Sequence, residues 1–539
     1  MPSSPPPHHS ATRGLPHRRA LRALGALALV LALATPAVLP SAAAHAAPRA
    51  ARPPGGAAIP THGSAPAAAG PSALYAPGVV LVGYGNSESP AAQAAIVHAA
   101  GAVDPLPIAS HTRLLTLRHG ASVPAAIARL HHTRDVAWAV PDYIAHESTM
   151  PGAGSPANVT ASASHVADAA SSAGASPLAG EASSATGEPF PNDPGNTTTP
   201  GGWQQLQWNF VGPFGVQAPQ AWSNLIADHA PGGRGVIVAV LDTGVAYANR
   251  GRRFRRSPDF YPYQFVSGYD FIAHDRFPND RNGHGTDVAG TIAEATDNGK
   301  GLTGLAYGVR IMPVRVLDSE GDGDASVIAK GIRFAVKHGA RVINLSLEFP
   351  TGITASDIPE LISALRYANR HGVVVVAAAG NEAHAAAAFP ARAPTVIAVG
   401  ASTEHGCLAS YSNYDIGLTL VAPGGGPDAT LPGDPNCRPE APTGQDIFQV
   451  TFAGSSPLQF GIPGGYEGTS MATPHVAATA ALIIASRVLG RHPTPAQIAA
   501  RLKATARPLG GPGDNKLYGA GLLDAAAATA PGGPGALAK

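Results

Sequence analysis

An α/β fold, with a mostly parallel central sheet covered by helices on both faces, is what most of this 539-residue chain predicts, preceded by a small α+β unit. Three observations carry that reading. The first is a series of apolar runs of strand length at residues 236–241, 310–316, 342–347, 373–379 and 396–400. The second is that helical stretches fall between them, at 284–295, 325–337 and 357–370. Strands that are apolar throughout and alternate with helices belong to a parallel sheet buried on both faces. The third is the segment 75–148. It reads as strand (79–82), helix (91–100), strand (113–117), helix (123–130) and strand (135–140, stopping before Pro141), a β-α-β-α-β pattern of ferredoxin-like type.

The remaining segments divide the chain further. Residues 1–46 carry a basic stretch with Arg18, Arg19 and Arg22, an apolar run at 23–34 and the small-residue site Ala44-His45-Ala46. That is the pattern of a secretory signal peptide, too short to span a membrane as a helix. A Pro/Ala/Gly linker (47–74) leads to the small unit (75–148). A second linker (149–188), rich in Ala, Ser and Gly, is expected to be disordered and open to cleavage. The large domain spans 189–531, and 532–539 reads as a frayed tail. The expected destination is extracellular, or periplasmic in transit.

A net charge of +1 provides no field for nucleic acid or an anionic membrane, so neither is an expected partner, and no later apolar stretch is long enough to cross a bilayer. A monomer is expected. The run Arg250-Gly251-Arg252-Arg253-Phe254-Arg255-Arg256 reads as a solvated loop insertion, with a protease-sensitive loop as the sharper alternative. An exported protein with two cysteines predicts a Cys407–Cys437 disulfide.

Four positions carry chemistry. Ser470 stands in Gly468-Thr469-Ser470-Met471, where a buried helix (471–486) begins, with Pro474 tolerable only in or before the first turn. A serine there offers a hydroxyl nucleophile and an unpaired N–H from one residue; taken alone, it is as well explained as a helix cap. Asp242 follows the strand at 236–241, and a turn aspartate is the plainer alternative. His284 lies between two glycines at the start of a helix. Asn381 ends the run at 373–381, where Gly-Asn by itself reads as a turn. All four fall at strand ends or helix starts in the order Asp, His, Asn, Ser. The carboxyl ends of the strands are where a doubly covered sheet places its crevice.

Asp242-Thr243-Gly244, His284-Gly285-Thr286-Asp287-Val288-Ala289-Gly290, Ala378-Ala379-Gly380-Asn381 and Gly468-Thr469-Ser470-Met471-Ala472-Thr473-Pro474-His475 together resemble the four signatures of the subtilisin-like serine peptidases. The resemblance extends from about residue 75 to 530. It includes Gln207-Trp208-Asn209-Phe210 near the start of the large domain and 75–148 as the family's inhibitor propeptide.

The resemblance implies a secreted serine endopeptidase acting on protein or peptide substrates and activated by cleavage of its own propeptide. Asp242 would orient His284, His284 would take the Ser470 proton, and Asn381 would hold the oxyanion. Gly321, Asp322 and Gly323, together with Ser346, Leu347 and Glu348, and Ala379 and Gly380, would line the substrate channel. Glu348-Phe349 replaces the family's Gly-Gly and would narrow or charge the primary pocket. Glu320, Asp322 and Asp324 would favour basic residues or simply be solvated. Asp287 replaces a second histidine, and Phe389-Pro390 is a cis candidate. The chemistry needs no cofactor; a structural calcium would draw on Asp297 and Asn298. The alternatives are a degenerate binding protein on the same fold, a transpeptidase using the same acyl-enzyme, and an acid-acting relative that would lack the histidine and asparagine motifs.

Overall fold

The computed structural model describes residues 74–85, 89–148, 191–197, 201–441, 444–454, 456–510 and 515–536, all within one compact unit, Ala69–Lys539. The expected signal peptide, almost all of the first linker and the whole second linker lie outside the described residues.

The small unit is β1 (Tyr75–Tyr84), α1 (Pro90–Ala100), β2 (Ala102–Ala109), β3 (Thr112–Leu117), α2 (Val123–Leu130) and β4 (Val136–Glu147). Its antiparallel sheet has the order β4-β1-β3-β2. Both helices start alike: Ser89 and Ser122 accept the N–H three residues on, and a proline follows in the first turn. β2 was not expected, because Pro105 and Pro107 argue against a strand. They are tolerated because β2 is the sheet's edge. β4 was expected to stop at Val140 and instead continues through Pro141 to Glu147.

In the large domain, a seven-stranded, all-parallel sheet is formed by β5 (Ile237–Asp242), β6 (Tyr269–Asp270), β7 (Arg310–Arg315), β9 (Val342–Leu345), β11 (Val374–Ala378), β12 (Val396–Ser402) and β13 (Leu420–Pro423), in the order β13-β12-β11-β9-β5-β7-β6. Two short strands stand outside it, β8 (Asp322–Asp324) and β10 (Leu347–Glu348). One face is covered by α3 (Ala218–Ala227), α4 (His284–Ala293) and α7 (Thr469–Ser486), the other by α5 (Ala325–Lys337) and α6 (Pro359–Arg370). α7 is buried along almost its whole length, as a helix apolar all round must be.

Pro474 sits in the second turn of α7, not in or before its first. Proline has no N–H, so the carbonyl four residues earlier, that of Ser470, lacks its helical donor. The Ser346 hydroxyl donates to it instead at 2.8 Å. The disulfide Cys407–Cys437 and the cis peptide Phe389–Pro390 are both present. The arginine run forms an exposed loop closed by an Arg250–Phe254 bridge, as expected of a solvated insertion. The expected fraying of the tail is not seen at 532–536. Buried Arg501 reaches it, donating to Pro534 O as well as to the carbonyls of Ala527, Ala528 and Ala530.

Candidate active site

Asp242 is the last residue of β5 and is fully buried. Its Oδ1 accepts the Thr243 N–H (2.7 Å) and the His284 Nδ1–H (2.7 Å). The histidine comes this close because Gly285 and Gly244 touch, leaving no room for a Cβ on Gly285. Asp280 braces the turn before α4, accepting from the Thr243 and Thr286 hydroxyls and from the N–H groups of Asn282, Gly283 and Thr286. His284 is 1% exposed, and its Nε2 finds no hydrogen-bond partner among the described residues.

Ser470 is the second residue of α7, and no side chain caps that helix. The N–H groups of its first turn are therefore open to other partners. Asn381 Oδ1 takes those of Thr469, both backbone and hydroxyl, at 2.9 Å. That leaves Asn381 Nδ2 buried and without a partner among the described residues. The Ser470 N–H donates to the carbonyl oxygen of Ser148 at 3.1 Å, and the Ser470 hydroxyl also donates to that oxygen. The expected serine–histidine hydrogen bond is not made, because the hydroxyl is turned onto Ser148 instead.

Ser148 arrives there at the end of β4, whose last residues run antiparallel between β8 and β10. Ile144, Ala145 and His146 pair with Asp324, Gly323 and Asp322; His146 and Glu147 pair with Glu348 and Leu347. Glu147 N donates to Gly321 O (2.8 Å) and Ser148 N to Ser346 O (3.2 Å). An extended segment held by strand addition on both edges is how a channel binds peptide backbone. Ala145 is buried in the apolar core, and His146 Nδ1 lies 2.5 Å from Asp322 Oδ1. Of the three acids in the β8 loop, Asp322 is the one whose side chain meets this segment.

Glu348 is buried, and its Oε1 accepts the Ser148 hydroxyl at 2.8 Å. Gly380 N donates to Thr469 Oγ1, while Ala379 O accepts from Asn413 Nδ2. The small unit also grips the large one away from the cleft. Asp142 accepts the Ser326 N–H at the start of α5 (2.9 Å), and Thr112 donates to Glu360 at the start of α6 (2.7 Å).

Electrostatics separate the carboxyls here. Burial pulls the His284 imidazole down, but Asp242 and then Glu147, whose Oε2 is 3.9 Å from Nδ1, outweigh it and push it up to about 9. Burial raises Glu147 to about 7 despite the charge of His284. Asp287 is fully buried, and that burial lifts it well above the carboxylate range. Its push on the His284 imidazole is smaller than those of Asp242 and Glu147.

The calcium expectation does not fit these side chains. Asn298 turns its amide nitrogen, not its oxygen, to Asp259 Oδ1 (2.7 Å), and Asp297 Oδ1 takes the Asn192 N–H. Asp193 accepts the N–H groups of Asp297 and Asn298. Asn298 Oδ1 accepts the Lys300 N–H, and among the described residues no cluster of three or more His, Cys, Asp or Glu is arranged to hold a metal.

Of the residues the sequence pointed to, the structure joins Asp242 to His284, sets Asn381 on Thr469 next to Ser470, and places β8 and β10 on either side of residues 144–148. It also adds residues that sequence reasoning missed. Thr469 ties Asn381, Gly380 and Ser148 together, and Glu382 and Asn413 stand behind Glu348.

Comparison with known proteins gives a consistent set of likenesses. Residues 233–521 match the Subtilase family. Subtilisin Savinase of Lederbergia lenta is 37% identical over 314 residues, which is 58% of this chain and 96% of that one. Thermitase of Thermoactinomyces vulgaris is 37% identical over 272 residues, 50% of this chain and 81% of its own. Fervidolysin of Fervidobacterium pennivorans, a keratinolytic enzyme related to subtilisin, superposes with a TM-score of 0.61 at 25% identity, covering 85% of this chain and 62% of its own.

Proposed function

This chain belongs to the subtilase family and is a serine-type endopeptidase, and from that premise we propose that it is a secreted precursor that activates itself by cutting the bond after Ser148. The observation that carries the proposal is the Ser148 carbonyl seated on the Ser470 N–H, with the preceding residues bound as a strand between β8 and β10. A segment held this way is both substrate and plug, which accounts for 75–148 as an inhibitor propeptide.

In this reading Asp242 fixes His284 with Nδ1 protonated and Nε2 free to act as base. The Ser470 hydroxyl leaves the Ser148 oxygen, gives its proton to Nε2 and bonds to the Ser148 carbonyl carbon. The negative charge on that oxygen is met by the Ser470 N–H and by Asn381 Nδ2, the buried amide that has no partner among the described residues. Collapse breaks the bond to Thr149, whose nitrogen takes the proton from His284. Water then releases the acyl-enzyme by the same steps in reverse. Among the described residues the buried Asn381 Nδ2 and His284 Nε2 have no hydrogen-bond partner, which favours catalysis over a degenerate binding protein.

Ser470→Ala tests the proposal. The variant is expected to be secreted at full length and to stay unprocessed, whereas the wild type yields a fragment whose mass places its C-terminus at Ser148. Normal processing of the variant, or a first cut elsewhere, sinks self-activation at this bond. Product analysis with an added amine nucleophile separates hydrolysis from transpeptidation.

A further inference from the structure

The pocket that receives the side chain before the scissile bond is built differently in this chain from an open apolar slot. The Ser148 hydroxyl, two atoms beyond its Cα, already reaches the floor. It donates to Glu348 Oε1 at 2.8 Å and lies 2.8 Å from Thr469 Oγ1. The floor is the Glu348 side chain itself, 8% exposed and folded in from β10. Its Oε2 has no donor among the described residues. Glu348 Oε2, Glu382 Oε2 and the Asn413 amide nitrogen all converge on the place where a Cβ of Gly380 would stand, and Gly380 has φ +107°. The Asn413 amide gives one N–H to Glu382 Oε2 at 2.6 Å and the other to Ala379 O at 3.0 Å, which leaves neither for Glu348.

Resting on the peptidase reading above, we propose that the Glu348–Glu382 carboxyl pair makes this enzyme selective for a small hydroxyl-bearing side chain, serine first, immediately before the scissile bond. Size follows from the floor, since a leucine or phenylalanine side chain would have to displace the Glu348 carboxyl. The hydroxyl follows from the buried acceptor: an alanine in the same seat leaves Glu348 Oε1 desolvated without its donor. Burial and then the neighbouring Glu382 push Glu348 well above the usual carboxylate range, which weakens the attraction this floor offers a lysine or arginine.

The test uses the mature enzyme and quenched peptides that keep the Ala145-His146-Glu147 sequence and vary the next residue among Ser, Thr, Ala, Lys and Phe. Active sites are counted by fluorophosphonate labelling of Ser470. Serine is expected to exceed alanine by ~10–100-fold in kcat/KM, with phenylalanine lower still. Glu348→Gly is expected to invert the order of serine and phenylalanine, and Glu348→Gln, which keeps the shape and an acceptor oxygen, to retain the serine preference. Phenylalanine or lysine as the best wild-type residue overturns the inference, as does a Glu348→Gly enzyme with an unchanged order. Failure of the fluorophosphonate to label the wild type, with no peptide cut, sinks the peptidase reading beneath it and is distinguishable on that ground.

Discussion

Two histidines of this molecule are equally buried and are driven in opposite directions. His284, at the first position of α4, is pushed up to about 9, while His475, in the second turn of α7, is pushed down to about 4. Burial alone lowers both, because an imidazolium in an apolar interior loses its hydration. What separates them is the company each keeps. His284 faces Asp242, Glu147 and Asp287, whereas His475 has only neutral partners. It donates from Nδ1 to the Met471 carbonyl at 2.9 Å, and its Nε2 accepts from the Asn209 amide at 2.8 Å. The carboxylates hold one imidazole ready to take up a proton; the neutral hydrogen bonds hold the other as an uncharged structural pin. Charge placement, not depth, separates the two histidines.

The largest way to break this comparison is to delete the side chains. His284→Ala is expected to cost on the order of 10⁶ in kcat, the scale a subtilisin triad shows when its histidine is removed, with unfolding unchanged or nearly so. His475→Ala is expected to leave the turnover of the folded fraction within a few-fold and to lose about 1–3 kcal/mol of stability, because Asn209 is left buried without its acceptor. Rates per titrated active site and denaturant unfolding check both halves. A catalytic collapse in His475→Ala without loss of fold would contradict the division of roles.

A smaller effect sharpens the chemical half. His284 must be neutral to accept the Ser470 proton, so processing should accelerate as pH rises through its pKa. While residues 144–148 fill the cleft, that pKa is held at about 9 in part by the Glu147 carboxylate. Asp242 and Asp287 face the ring in either state; Glu147 leaves with the cleaved segment. The acidic limb of the self-processing profile should therefore lie above that of the mature enzyme. Glu147→Gln should move the precursor's limb down by on the order of one unit. Coincident limbs in precursor, variant and mature enzyme would show that Glu147 does not tune His284.

The same contrast marks how much was legible beforehand. Asp242, His284, Asn381 and Ser470 could be read from the sequence because each sits where regular structure ends, and local sequence dictates such positions. The parallel sheet was legible for a similar reason, its central strands being apolar throughout. What failed were features fixed by distant partners. β2 was hidden by Pro105 and Pro107, which local rules exclude and an edge position permits. Pro474 inside α7 is excused by the Ser346 hydroxyl, 128 positions away from it in the chain. Asp297 and Asn298 were read as oxygen donors to a cation. Only their long-range neighbours Asp193, Asn192 and Asp259 show them satisfied within the protein. Glu348 was seen as a charge in the pocket, but its meaning depends on Glu382 and Asn413, which no local pattern connects to it.

The smallest effect concerns the structural histidine and the stability of the fold in acid. His475 has a folded pKa of about 4 against an ordinary value of 6.5. Between those values the unfolded chain binds a proton that the folded chain refuses, so this histidine makes stability rise with pH across that window. Its contribution is complete above about 6.5 and is lost as pH falls through about 4, a difference of ~3 kcal/mol at most. The raised carboxyls Asp142, Glu147, Asp259 and Glu467, each near 7, act in the opposite sense over much of the same range. Raw stability against pH is therefore uninformative, and the difference between His475 and a non-titrating replacement is the quantity to measure. In a Ser470→Ala background, which prevents self-digestion, the stability advantage over His475→Gln should shrink steadily from pH 6.5 to pH 4. A constant advantage over that interval would mean that His475 titrates normally in the folded state, and that burial without a nearby charge does not hold it neutral.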